Sequence, residues 1–476
     1  MGGFAEFERH DGIGLAKLVR DKEVSAAELL DAAIERVESR NAAVNAVVGR
    51  LYDDARRAIA AGLPDGAFTG VPFLLKDIGA LATGAVTTFG SRMFASFVAD
   101  HDSELVARYR RSGLVIFGKT NTPEFGLVTT TEPQLFGPAK NPWNLAYSTG
   151  GSSGGAAAAV AAGMVPAAHA NDGGGSIRVP ASCCGLFGLK PTRARNPSGP
   201  DIGEGWGGLS VSHVITRTVR DSAALLDATS GPDLGDPYWA PPPERPFLRE
   251  VGTDPGRLRI AVCTEPWNGQ PVDHECKEAV AEAAKLCASL GHIVDEARPE
   301  VDPRALGDAQ RVIVSASTRM VLDMRAAFLG RELRADDVEK FTWRVAAYAS
   351  EVRAADYARS MLAIHGAGRA VARFFTRWDV LLTPTMCRPP LRLGELDTMS
   401  DDAEQLRNVL FRTIAFTSLF NASGSPAMSV PLHWSRNGLP VGVQFVAGFG
   451  EEARLLRLAA QLEAAQPWTE RRPPLR

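Results

Sequence analysis

Between Asn141 and Pro191 two glycine–serine runs sit inside apolar sequence, and this stretch restricts the fold more than any other. Thr149-Gly150-Gly151-Ser152-Ser153-Gly154-Gly155 leads straight into an alanine-rich segment ending near Ala162. Asn171-Asp172-Gly173-Gly174-Gly175-Ser176-Ile177-Arg178 follows a second apolar run, Val165–Ala170. A flexible linker is polar on both sides; these runs are not. The reading is therefore a helix from Gly154, a strand near 165–170 and a tight glycine loop at 173–175, all packed within the body of the protein.

The flanking sequence extends the pattern. Ser25-Ala26-Ala27-Glu28 is a capping box that opens a helix with apolar residues at helical spacing. Val71–Leu75 reads as a buried strand ending at Lys76, residues 103–112 as a helix, and Leu114–Phe117 as the next strand, ending at Gly118. Further on, 258–263, 273–290 and 292–294 read as strand, helix, strand, and 303–376 as mostly helical. Strands return at 379–382, 427–430 and 441–446, and a helix over 451–463 closes the chain. Strands alternating with helices predict an α/β fold, a large mixed β-sheet covered on both faces by helices. The proline-rich, acidic stretch 231–256 reads as a surface excursion, and the whole chain, 1–476, as a single domain with a helical insertion.

Composition narrows the function. A formal charge of −3 with no basic stripe excludes nucleic acid as an expected partner. The longest apolar stretch, 154–168, is mostly alanine and glycine and too short for a membrane span. The N-terminus carries acids and no apolar signal core, so the chain is read as cytoplasmic. The six cysteines form no CxxC pair and no cluster with histidine at metal-ligand spacing. No GxxxxGK(S/T) loop appears, and no GxGxxG follows a strand with an acid about twenty residues on, so neither a metal nor an organic cofactor is expected.

Three residues stand out for chemistry. The glycines at 173–175 run into Ser176, so successive N–H groups form a nest for negative charge. Acyl transfer needs this beside its nucleophile, because charge develops on the carbonyl oxygen. Ser152 occupies the equivalent place in the other run. Lys76 closes an apolar strand, where lysine is rare unless paired; it either snorkels to solvent or, desolvated, becomes a neutral base. None of the eight histidines falls in a GxSxG or HExxH pattern. His169, shortly before Ser176, is the one rival base and reads as a strand residue.

These segments together resemble the amidase signature family. The matching stretches are VPFLLKD at 71–77, GKTNTPEFG at 118–126, STGGSSGGAAAAVAAG at 148–163, NDGGGSIRVPASCCGLFGLKPT at 171–192, DVLLTPT at 379–385, and GSPAMSVPL with GLPVGVQFV at 424–446. The core motifs thus lie in 70–192 and 379–446, and 232–376 is the least distinctive region. The resemblance implies a serine amidohydrolase that uses Ser176 as nucleophile, Ser152 as bridging serine after a cis peptide bond, and Lys76 as base. It also implies an oxyanion hole of backbone N–H groups from Gly173, Gly174, Gly175 and Ser176, with Asp172 and Arg178 as a buried pair bracing the loop. The expected ligand is a small-molecule amide, and a homodimer is left open. Gly173 departs from the family, where threonine or isoleucine is usual. The run around it is most similar to the branch that hydrolyses 6-aminohexanoate cyclic dimers, which points to an apolar secondary amide, anilide or carbamate. The rival readings are a glutaminase-type subunit of a tRNA-dependent amidotransferase, an esterase using the same triad, and a non-catalytic binding relative.

Overall fold

The computed structural model describes residue 4 and residues 6–475. Its main sheet has eleven strands: β1 (Val47–Arg50), β2 (Pro72–Lys76), β3 (Val115–Thr120), β6 (Ala167–Asp172), β7 (Phe187–Lys190), β8 (Val211–Thr216), β9 (Arg259–Val262), β10 (Ile293–Glu296), β11 (Val380–Pro384), β12 (Ala427–Trp434) and β13 (Pro440–Ala447). A separate ribbon pairs β4 (Lys140–Asn141) with β5 (Asn144–Ser148). The spatial order in the main sheet is β1-β3-β2-β6-β8-β7-β12-β13-β11-β9-β10. Strands β3, β2 and β6 run parallel, as do β11, β9 and β10, with antiparallel pairs between them and at β1. This is the mixed α/β sheet that the alternation of apolar runs predicts.

Side-chain alternation shows helices on both faces. In β11, Val380 and Leu382 pack with the helices His274–Ser289 and Glu452–Ala465, whereas Leu381 between them packs with Pro303–Phe328, Ala354–Phe374 and Ser418–Ser423. That period-two split is what a strand buried on both sides requires. The capping box holds: Ser25 and Glu28 cap the Ala26–Val44 helix reciprocally.

Two strand ends differ from the sequence reading. Strand β2 starts at Pro72 rather than Val71 and is closed by Lys76, as read. Strand β3 continues through Gly118 to Thr120, because Gly118 lies opposite Arg50 of β1, where a Cβ would fall 2.7 Å from Gly49 O. The sequence reading had no β1, β7 or β8, all short strands of four to six residues. Residues 231–256 hold only a short helical turn, Phe247–Glu250, and lead from the Val219–Thr229 helix back into the same sheet at β9. No helix among the described residues is long and apolar enough to cross a membrane.

Candidate active site

Strands β2 and β6 are parallel neighbours, so Lys76 and Asp172, which end them, emerge at one edge of the sheet. The carboxyl ends of parallel strands are where α/β sheets bind ligands. Lys76 is fully buried, and its Nζ meets three oxygens: Ser152 Oγ at 2.7 Å, Asn171 Oδ1 at 2.6 Å and Ser153 Oγ at 3.0 Å. It does not snorkel. Desolvation pulls its pKa well below the ordinary lysine value, and the negative charge of Asp172 offsets only part of that.

Ser152 follows a cis Gly151–Ser152 peptide bond and is itself buried. Thr131 Oγ1 donates to Gly150 O at 3.0 Å, fixing the turn from behind. The second glycine run is tied to the first by the backbone: Ser153 N donates to Ser176 O at 3.3 Å. Ser176 lies just before the Arg178–Cys184 helix and is 8% exposed, the most accessible of the three expected catalytic side chains. Its Oγ has no hydrogen-bond partner among the described residues. The structure thus joins Lys76 directly to Ser152 and brings Ser176 alongside through the main chain.

Asp172 organises the glycine loop. Its carboxylate accepts from Gly175 N at 2.7 Å, Ile177 N at 3.1 Å, and Arg178 Nε and Nη2 at 2.9 Å each. Burial, the largest single influence, would push this carboxyl up, but Arg178, with help from Asn421 and Lys190, outweighs it and holds the carboxyl below the usual carboxylate range. Arg178 is also fully buried and reaches Thr417 O, Gln444 Oε1 and Asn421 Oδ1. Of the four N–H groups expected to bind an oxyanion, that of Gly175 is therefore already engaged. Those of Gly173, Gly174 and Ser176 have no protein acceptor among the described residues.

His169, the rival base, points its Nδ1 at the Lys76 backbone N–H at 3.3 Å. Burial, then the neighbouring Lys76, hold its pKa well below the ordinary histidine value. It braces the end of β2 and makes no hydrogen bond to either serine among the described residues. Sequence reading missed Ser153 and Asn171, although both adjoin singled-out residues. It also missed Thr417, whose Oγ1 donates to Gly174 O at 2.6 Å, together with Asn421 and Gln444. Among the described residues no three His, Cys, Asp or Glu side chains are placed to hold a metal.

Comparison with known proteins places this site in context. The family model described as Amidase matches residues 28–456. The chain is 41% identical over 481 residues to the 6-aminohexanoate-cyclic-dimer hydrolase of Pseudomonas sp. (strain NK87), covering 98% of this chain and 96% of that one. It superposes on a solved structure of 6-aminohexanoate cyclic dimer hydrolase with a TM-score of 0.94 at 40% identity, covering 98% and 99% of the two chains. A bacterial aryl acylamidase of the amidase signature family gives a TM-score of 0.89 at 28% identity, covering 97% of each chain.

Proposed function

The chain belongs to the amidase family and is a hydrolase of amide bonds; from that premise we propose that it cleaves them through an acyl-enzyme on Ser176, with Ser152 as relay and Lys76 as base. The observation that carries this is the buried Lys76–Ser152 contact of 2.7 Å. A neutral amine has two N–H donors and one lone pair. Asn171 Oδ1 only accepts, and takes one N–H. Ser153 spends its own proton on Asn171 O at 3.2 Å, so its oxygen takes the other. The lone pair is left facing Ser152 Oγ. Lys76 draws the proton of Ser152, Ser152 draws that of Ser176, and Ser176 Oγ adds to the amide carbonyl. The free N–H groups of Gly173, Gly174 and Ser176 receive the oxyanion. Ser152 then returns a proton to the leaving nitrogen, and water completes hydrolysis of the ester.

On substrate class, the names of the two relatives support a secondary amide with an apolar body, such as an aminohexanoate oligomer or an anilide. The whole chain acts as one domain in this reading, supported by a single sheet that draws strands from residues 47–447. Six buried, unpaired thiols support a reducing, cytoplasmic setting.

A fluorophosphonate probe read by intact mass tests the proposal. Wild type gains one adduct, and Ser176→Ala gains none. Ser176→Ala and Lys76→Ala each lose about four to six orders of magnitude in kcat on any amide that wild type turns over. An adduct that persists in Ser176→Ala would overturn the assignment.

A further inference from the structure

The three glycines of this loop differ in what surrounds them. Gly175 has φ +139°, and a Cβ on it would fall 2.6 Å from Thr417 Oγ1. At Gly173 a Cβ would fall 2.7 Å from two ring carbons of Trp206, Cε3 and Cζ3. At Gly174 a Cβ would meet nothing within 4 Å. Open space therefore lies at Gly174, two residues before Ser176, where the N–H groups of Gly173 and Gly174 have no protein acceptor among the described residues and the Trp206 indole packs on Gly173.

Trp206 is half-buried and held in the left-handed region at φ +52°, in the run Gly203-Glu204-Gly205-Trp206-Gly207-Gly208. A tryptophan rarely takes that conformation unless its surroundings impose it. The loop is fixed just after the tryptophan: Arg193 Nε donates to Gly208 O at 2.6 Å, and Asn421 Nδ2 to Leu209 O at 3.0 Å. Asn421 also binds Asp172, so one side chain fixes the tryptophan loop and the oxyanion loop relative to each other. Next to Trp206, a Cβ on Gly207 would touch Tyr357 Oη, Met361 Sδ and Ile313 Cγ2 at 3.2–3.3 Å.

We propose that Trp206, with Ile313, Tyr357 and Met361 behind it, is the specificity-determining apolar wall of the acyl side of the site, selecting unbranched methylene chains on the substrate carbonyl. The absence of a side chain at residue 173 is what admits the indole. The proposal rests on Ser176 as nucleophile and names what meets the substrate beyond it.

The test uses acyl p-nitroanilides of increasing chain length, acetyl to hexanoyl, with fluorophosphonate labelling of Ser176 in every variant. Wild-type kcat/KM rises with chain length. Trp206→Ala loses about tenfold or more on the hexanoyl compound, mostly in KM, and stays within about threefold of wild type on the acetyl compound. Trp206→Phe keeps most of the chain-length slope. Gly173→Thr lowers activity by displacing the indole, and Trp206→Ala in the same chain recovers it. A Trp206→Ala enzyme that labels normally and keeps the full slope overturns the proposal, as does an equal loss at every chain length. A double variant no better than the product of the two singles also overturns it. Failure of wild type itself to label at Ser176 is a distinct outcome: it removes the nucleophile assignment and the wall together.

Discussion

Lys76 is fully buried with no carboxylate in hydrogen-bond contact, so a charged ammonium at this position is costly to the folded state. Its pKa is lowered well below 10.5 in the fold. Between the lowered value and 10.5 the unfolded chain carries a proton that the folded chain lacks, so stability rises with pH across that window. Lys76→Met abolishes this dependence. Denaturant titrations at about pH 7 and about pH 10 should show wild type gaining on Lys76→Met by up to about 1.4 kcal/mol per pH unit. A constant difference would place a charged lysine in the fold and remove the base from the mechanism. Gly174 gives a second prediction at this scale. Nothing lies within 4 Å of the place its Cβ would take, and its φ is not in the left-handed region. Gly174→Ala should melt within about 1 kcal/mol of wild type. On the proposed oxyanion role of this loop it should lose activity, because the methyl enters the open space beside the Gly173 and Gly174 N–H groups.

At the scale of elements, the loop from β6 into the Arg178–Cys184 helix depends on a network that sequence displays only in part. Asp172 and Arg178 were legible because they flank the glycines at motif spacing. Thr417, Asn421 and Gln444 were not: each is an ordinary polar residue in its own segment, and 239–266 residues separate them from Arg178. Only the packing of β13 against the Arg178–Cys184 helix, and of the Ser418–Ser423 helix at the end of β6, brings them together. The same holds for Trp206, whose glycine-rich surroundings mark a tight loop without saying what it packs on. The network predicts a non-additive response. Asp172→Asn strands the buried Arg178 cation and should cost about 3–5 kcal/mol of unfolding free energy. Arg178→Met strands the carboxylate at similar cost. The double variant should be destabilised by clearly less than the sum of the two, since no uncompensated charge remains. Additive losses in denaturant melts would mean that the two charges are not a coupled pair.

Across the whole molecule, motif-rich segments and the weakly distinctive helical region meet at a pair of buried carboxyl groups. Glu124 precedes Phe125 and Gly126, where a Cβ on Gly126 would sit 3.1 Å from Ser152 Oγ. Its Oε2 accepts the N–H of Glu339, the residue that starts the Lys340–Tyr348 helix, at 2.8 Å, and its Oε1 accepts from Ser91 Oγ at 2.6 Å. Around this joint Phe94 and Phe125 pack with Leu322, Ala326 and Ala346 of the helical region. Sequence patterning identified those helices from their period but could not show where they dock, because the contact is one glutamate against a helix start 215 residues away. Burial, then the nearby Glu339 carboxylate, raise Glu124 from 4.5 to about 7; Arg92 and Asp397 also face Glu339, with opposite effects. A raised carboxyl pKa means that the folded state holds a proton the unfolded chain has released. The stabilisation is therefore complete below 4.5 and is lost as pH rises through about 7. The amount at stake is about 3 kcal/mol. Glu124→Gln keeps a neutral acceptor for the Glu339 N–H at every pH. It should match wild type near pH 5 and exceed it in melting temperature near pH 8. Over the same range, amide exchange across 335–348 should quicken in wild type and stay level in the variant. Equal pH slopes for the two proteins would show that Glu124 is ionised in the fold, and that packing alone holds the helical region against the loop beside Ser152.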